Sequence, residues 1–218
     1  MDDGQVGPSN PGPGDGAPAD EADGPAAGAR RELASGGGQQ GPSWLGRRFE
    51  VDVESVAHGG HCVARHEGRV VFVRHTIPGE RVVVEVTEDR HPKYCRADAV
   101  EVLRAHPARI ERPCPFSGPG KCGGCDWQHV DPAYQRELKS AVIAEQFGRL
   151  AGTVVDVPVE ELPGGPLRWR SRARFAVDRT GRPGLHPHRS REVLPLADCP
   201  ITVEPAAQAV LALSLIHI

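Results

Sequence analysis

Three thiols, Cys114, Cys122 and Cys125, fall within twelve residues in the spacing C-x7-C-x2-C. A fourth, Cys199, stands far downstream in Asp198-Cys199-Pro200. Pro115, Pro119, Gly118, Gly120, Gly123 and Gly124 lie between the first three, and no hydrophobic period runs through the stretch. Glycine and proline let a backbone curl tightly, so the segment reads as a loop wrapped around a metal centre. Thiolates take zinc or iron–sulfur clusters. Structural zinc is usually held by two paired knuckles, and a second pair is missing here. Three close cysteines and one distant one are nearer to iron–sulfur spacing. His129 in place of Cys199 would complete a zinc set, so both chemistries stay open. Cys62 and Cys95 lie in strand-like sequence and read as small buried hydrophobes.

A second pattern is basic. Arg168, Arg170, Arg172 and Arg174 alternate with Trp169, Ser171, Ala173 and Phe175. At period 2 this predicts a strand over Leu167–Val177 with all four arginines on one face. RNA phosphate is the anion expected opposite such a row, against the alternative of a solvated sheet face. Residues 161–199 hold eight arginines against four acids, and His186 and His188 add charge at mildly acidic pH. Arg65, Arg69, Arg74, His75 and Lys93 could line a further RNA-facing surface upstream. No G-x-G-x-x-G loop follows a strand, no Walker A lysine loop occurs, and no nucleophile–base pairing stands out.

The elements that must position these residues follow from length and pattern. The chain has 218 residues and a net charge of −3, so overall charge points to no anionic partner. Residues 1–44 carry seven acids against two arginines, and 1–43 hold eleven glycines and six prolines. Such a tail cannot bury enough surface to offset its ordering entropy and is expected to be disordered. No signal peptide or membrane-length apolar run is visible, which makes the cytoplasm the expected compartment and metal binding the expected use of clustered cysteine. Five short strand patterns with turn signals fill residues 45–105, at 49–54, 62–66, 69–73, 80–87 and 94–103. They argue a small closed β-barrel of OB type. Asp131-Pro132 opens a helix and Gly152 ends it. Its apolar residues form two stripes, Tyr134, Leu138, Ala141, Val142 and then Ile143, Phe147, Leu150, which predicts burial between two layers. Gly184–His186 and Glu192–Leu196 read as partner strands of the arginine segment, after a turn at Asp178–Gly181. The fold class expected is mainly β with an α+β centre: tail 1–44, barrel 45–105, thiol loop and central domain 106–204. Residues 205–218 begin like a helix and stop inside an apolar run, as a truncated further domain or read-through would.

Several stretches resemble known proteins. Gly59-Gly60, Phe72-Val73 and Ile77-Pro78-Gly79-Glu80-Arg81-Val82 resemble the TRAM domain, an RNA-binding β-barrel. Cys114-Pro115 through Cys122-Gly123-Gly124-Cys125-Asp126-Trp127-Gln128-His129, followed by a helix, resembles the iron–sulfur region of the RNA 5-methyluridine methyltransferases. Arg168–Phe175, Leu185-His186 and Asp198-Cys199-Pro200-Ile201 resemble that family's central domain. The likeness covers about residues 48–204. The first cysteine gap is seven residues, longer than in well-known members. The resemblance implies a [4Fe-4S] cluster on Cys114, Cys122, Cys125 and Cys199 and RNA binding at Arg168, Arg170, Arg172 and Arg174. It also implies methylation of uracil carbon 5 in ribosomal or transfer RNA with S-adenosylmethionine. It places the catalytic groups and the S-adenosylmethionine pocket in a Rossmann-like domain beginning after about residue 205, so no catalytic residue is assigned in this chain, which is expected to bind RNA as a monomer without turnover. Radical methylthiotransferases that carry a TRAM barrel differ in cysteine spacing and in order of parts. A non-catalytic zinc-containing RNA-binding module is the remaining alternative.

Overall fold

The computed structural model describes residues 42–213. The predicted disordered tail, up to residue 41, and the last five residues lie outside them. Strands β1 (Arg48–Val56), β2 (Cys62–His66), β3 (Arg69–Arg74), β4 (Arg81–His91) and β5 (Tyr94–Arg104) close a barrel in the order β1-β2-β3-β5-β4. All neighbours are antiparallel except β3 and β5, which run parallel. The alternation that predicted the strands also builds the core: Val51, Val53, Val71, Val73, Val82, Val84 and Val86 point inward and are buried. Glu67 and Gly68 take φ of 46° and 78° between β2 and β3. Positive φ at both central residues is what a tight two-residue hairpin demands. Trp44, which the sequence places in the tail, belongs to the barrel. It is buried, meets Phe49 edge-on at 5.6 Å and lies under the Arg69 guanidinium at 4.3 Å.

Helix α1 (Pro132–Ala151) has the expected ends. The Asp131 carboxylate accepts from the backbone N–H groups of Ala133 and Tyr134, and Gly152 closes the helix in the left-handed region. The predicted burial of both stripes does not hold. Leu138 is the buried side chain, packing with Ile77 and Val130, and Tyr134 lies partly buried beside them. Phe147 and Leu150 are 49% and 75% exposed, because only the first half of the helix reaches the barrel end.

The strand predicted over Leu167–Val177 is also absent. Only Ala176–Val177 is extended, as β6, pairing with β7 (Pro183–Leu185), which pairs with β8 (Leu194–Pro195). Arg168 sits at φ 55°, in the left-handed region. A strand needs a continuous neighbour to satisfy its backbone, and before Ala176 the segment has only one isolated parallel bridge, Arg170 to Thr202, with the N–H groups of Arg168 and Arg170 donating to Pro200 O and Ile201 O at 2.8 Å. The two partner strands and the Asp178 turn lie where the pattern put them. Helix α2 (Glu204–Leu213) ends the described chain. No helix of the described residues is long and apolar enough to cross a membrane.

Candidate functional site

After β5 the chain curls without regular structure to Asp131. Reverse turns set the thiols: Ser117 N–H donates to Cys114 O at 3.1 Å and Cys122 N–H to Phe116 O at 2.9 Å. Gly123 N–H donates to His186 O at 3.0 Å, and Cys122 bridges to Pro187. These bonds lay the loop against the turn that follows β7. A Cβ at Gly123 would stand 2.6 Å from the backbone nitrogen of His188. That position therefore needs glycine for space. Cys199 is brought in by Arg168. Its guanidinium forks onto the Asp198 carboxylate at 2.9 and 2.6 Å and donates to the carbonyls of Cys199 and Thr202 at 3.2 and 3.3 Å.

None of the four thiols is in a disulfide, and Cys114, Cys122, Cys125 and Cys199 lie within electrostatic reach of one another. Cys114, Cys122 and Cys199 are buried and Cys125 is half-buried. Burial pushes the thiols of Cys114, Cys122 and Cys125 up, and negative charge on their cysteine neighbours pushes them further. Among the described residues no three His, Cys, Asp or Glu side chains converge tightly enough to hold a metal ion. His129 is turned away from the thiols and puts Nε2 3.2 Å from Thr76 O.

The loop is fastened to one end of the barrel by ion pairs and hydrogen bonds whose partners the sequence patterns did not bring together. Glu80, 0% exposed, accepts both Nε and a terminal nitrogen of Arg109 at 2.6 Å, together with Thr76 Oγ1, Ile77 N–H and His106 N–H. Burial works against its charge, but these donors outweigh it and hold the carboxyl below its usual range. Arg74 donates to the Asp126 carboxylate at 2.7 and 3.1 Å, and Trp127 Nε1 to Gly60 O at 3.2 Å. His75 and His129 are buried between these ties. Burial lowers them to about 3 and about 4, with Arg74 and Arg109 adding repulsion, so both are neutral. The only local hints were the adjacency of Asp126 to Cys125 and of Glu80 to the Pro78-Gly79 turn.

The basic residues fall into two groups. Arg74 and His75 are buried, and Arg69 is tied to Asp89 and to the carbonyls of His91 and Tyr94, so none of them offers a free surface charge. Arg168 is occupied with Asp198. Arg172 and Arg174 are exposed, and half-buried Arg170 lies over the Trp169 ring at 5.1 Å. An apolar groove of about 790 Å³ runs between α1, the thiol loop and this segment, lined by Trp127, Val142, Ile143, Leu167, Trp169 and Arg170. A polar cavity of about 560 Å³ lies between the barrel wall and the residues after β7.

The TRAM domain family matches residues 42–100, which comprise the barrel up to the middle of β5. A protein of Streptomyces coelicolor named as an uncharacterized RNA methyltransferase is 52% identical over 179 residues, which cover 76% of this chain and 39% of the relative. The 23S rRNA (uracil(1939)-C(5))-methyltransferase RlmD of Shewanella amazonensis is 33% identical over 171 residues, covering 76% of this chain and 38% of the relative. The solution structure of a conserved protein of Methanococcus maripaludis aligns with 32% of this chain and 99% of its own length, at 30% identity and a TM-score of 0.27. The chain spans about two-fifths of the length of the curated relatives it matches. The likeness to them runs well beyond the barrel, and the chain carries a TRAM domain.

Proposed function

We propose that these residues are the RNA-binding part of an S-adenosylmethionine-dependent RNA (uracil-5-)-methyltransferase acting on ribosomal or transfer RNA. In this reading Cys114, Cys122, Cys125 and Cys199 hold a [4Fe-4S] cluster. The observation that carries it is the fastening of a three-thiol loop onto the end of a TRAM barrel, in a chain 33% identical over 171 residues to a 23S rRNA uracil methyltransferase. The donor set fits: three disulfide-free thiols lie in a loop closed against the turn after β7, and Cys199 lies within electrostatic reach of all three. When bound, the cluster supplies a cross-link between the loop and the Cys199 segment. Arg168 positions that segment, and Arg170, Arg172 and Arg174 offer charge to RNA phosphates. Methyl transfer is assigned to no residue described here.

Anaerobic purification followed by iron, sulfide and zinc analysis tests the centre. About four irons and four sulfides per chain are expected, and stoichiometric zinc with no sulfide would refute the cluster and favour a zinc-containing RNA-binding module. RNA binding is tested with ribosomal and transfer RNA fragments across a salt series. Replacing both Arg172 and Arg174 by Ala should weaken binding and flatten the salt slope by about 0.7 per lost phosphate contact. Incubation with labelled S-adenosylmethionine and RNA should give no methyl transfer by this chain alone, and observed transfer would overturn that division of labour.

A further inference from the structure

We propose that the polar cavity between the barrel and the turn after β7 is a pocket for one unstacked guanine of single-stranded RNA, read by Asp98. This rests on the RNA-binding reading above and names a base within it. The cavity holds about 560 Å³ and is lined by His61, Arg74, Arg96, Asp98, His188 and Arg189 among others. Its volume is in the range of pockets that bury small ligands.

Asp98 is the group without an occupation. It lies half-buried on β5, directly across from Arg74 on β3, yet Arg74 turns to Asp126. Arg96 and Arg189 both go to Glu88. Among the described residues Asp98 has no hydrogen-bond or ion-pair partner. Burial pushes its carboxyl up, the Arg74 charge offsets part of that, and Asp126 and Glu85 push it up further. A half-buried carboxylate left unpaired is costly, and a ligand that donates to both oxygens would relieve it. Of the four RNA bases only guanine sets two adjacent donors, N1–H and the N2 amino group, on its Watson–Crick edge. Unstacked RNA bases are commonly read on that edge. His61 Nε2 and Arg96 Nε are also buried without partners at this cavity, available to the acceptor side of the base.

A chain of rings leads to the same place. His91 stacks on Tyr94 at 4.3 Å, Tyr94 meets Phe72 at 5.6 Å, Phe72 meets His61 at 6.4 Å, and His61 meets His188 at 6.1 Å. The Arg96 guanidinium lies 5.8 Å from the Tyr94 ring. Aromatic side chains interleaved with arginine on a barrel wall form the kind of platform on which single-stranded bases stack. The ladder runs from His91 at the end of β4 across Tyr94 on β5 and Phe72 on β3 to His61, just before β2, and ends at the cavity, so a strand following it delivers a base to Asp98.

Fluorescence anisotropy with the full chain tests this, using labelled hexauridine carrying one central guanosine, inosine or adenosine. Inosine keeps N1–H and lacks the N2 amine. The guanosine oligomer should bind about tenfold tighter than the inosine one, in line with a well-placed bidentate base contact. Asp98→Asn should erase that preference for guanosine over inosine while leaving far-UV circular dichroism unchanged. The inosine comparison needs no variant, so it decides even if the substitution unfolds the chain. Equal affinity for all three oligomers overturns the guanine pocket and leaves the RNA-binding reading standing. No binding of any oligomer or of longer RNA sinks both.

Discussion

The barrel and the region after it are held together by different physics. Residues 48–104 close every strand edge and bury a continuous core of valines with Ala64, Ala97 and Ala99. Burial at about 25 cal/mol per Å² is spread over many side chains, so no single contact decides the fold. Residues 105–203 have strands of two or three residues and a helix with one fully buried side chain. Their order depends on point connections: Glu80–Arg109, Arg74–Asp126 and Arg168–Asp198, to which the proposed cluster would add a fourth. A region built this way should fail at single sites, and the barrel should not.

The largest effect is expected from the thiols. Cys125→Ser should abolish the metal stoichiometry and strip hydrogen-exchange protection from residues 106–203 while β1–β5 keep theirs. Structural metal sites contribute on the order of 10 kcal/mol to the folding of small domains. Loss of protection in the barrel to the same extent would mean that the two regions fold as one unit. Retained metal would remove Cys125 from the ligand set.

Glu80→Ala comes next. It leaves Arg109 facing a buried void and removes acceptors from Thr76, Ile77 and His106. Breaking a buried ion pair by removing one partner costs about 3–5 kcal/mol. Because Glu80 opens β4 and Arg109 leads into the thiol loop, urea unfolding should split into two transitions, with the second region melting first. A single shifted transition would place the damage inside the barrel.

The contrast between the regions also explains which parts were legible in the sequence. Val82, Val84 and Val86 alternate because one face of β4 is core, and that local period gave the strand directly. Asp131 and Gly152 marked the helix because caps act on neighbouring backbone groups. The arginine alternation has the same period and no barrel behind it. Trp169 remains 45% exposed, and Arg168 is drawn out of extended geometry by Asp198, thirty residues away. The second helical stripe failed for a related reason: periodicity says which residues share a face, not whether anything covers it. Pairs such as Arg74 with Asp126, 52 residues apart, leave no local trace. The three-plus-one spacing suggested grouping Cys199 with the loop cysteines, but the Arg168–Asp198 ion pair that seats it left no local trace.

Acid should act on the junction between the regions. His75 and His129 titrate near 6.5 when unfolded and at about 3 and about 4 in the fold, chiefly through burial. Below pH 6.5 the unfolded chain takes up protons that the native chain refuses, so stability falls with pH until the native values are reached. Each such histidine contributes up to about 1.4 kcal/mol per pH unit. His61 and His188 are lowered in the same direction, first by burial and then by Arg74. Stability measured by urea should therefore drop by about 2–3 kcal/mol from pH 6 to pH 5, before carboxylates such as Glu80 protonate. The His75→Gln variant should lose part of that slope, and an unchanged slope would place the proton uptake elsewhere.

The smallest effect separates two adjacent glycines. Neither Gly123 nor Gly124 has a positive φ, so backbone freedom explains neither. A Cβ on Gly123 would meet the backbone of His188 at 2.6 and 2.8 Å, and backbone cannot swing aside as a flexible side chain can. A Cβ on Gly124 would meet Cys122 Sγ at 3.5 Å and Leu185 at 3.8 Å, ordinary contact distances. Gly123→Ala should push the thiol loop off the turn after β7, break the bond from Gly123 N–H to His186 O and cost about 1–3 kcal/mol. Gly124→Ala should stay within about 0.5 kcal/mol. Equal losses in both would show that the C-G-G-C segment is constrained by what the thiols hold rather than by its packing on the turn. A loss confined to Gly123→Ala would show that the turn seats the loop before any metal arrives.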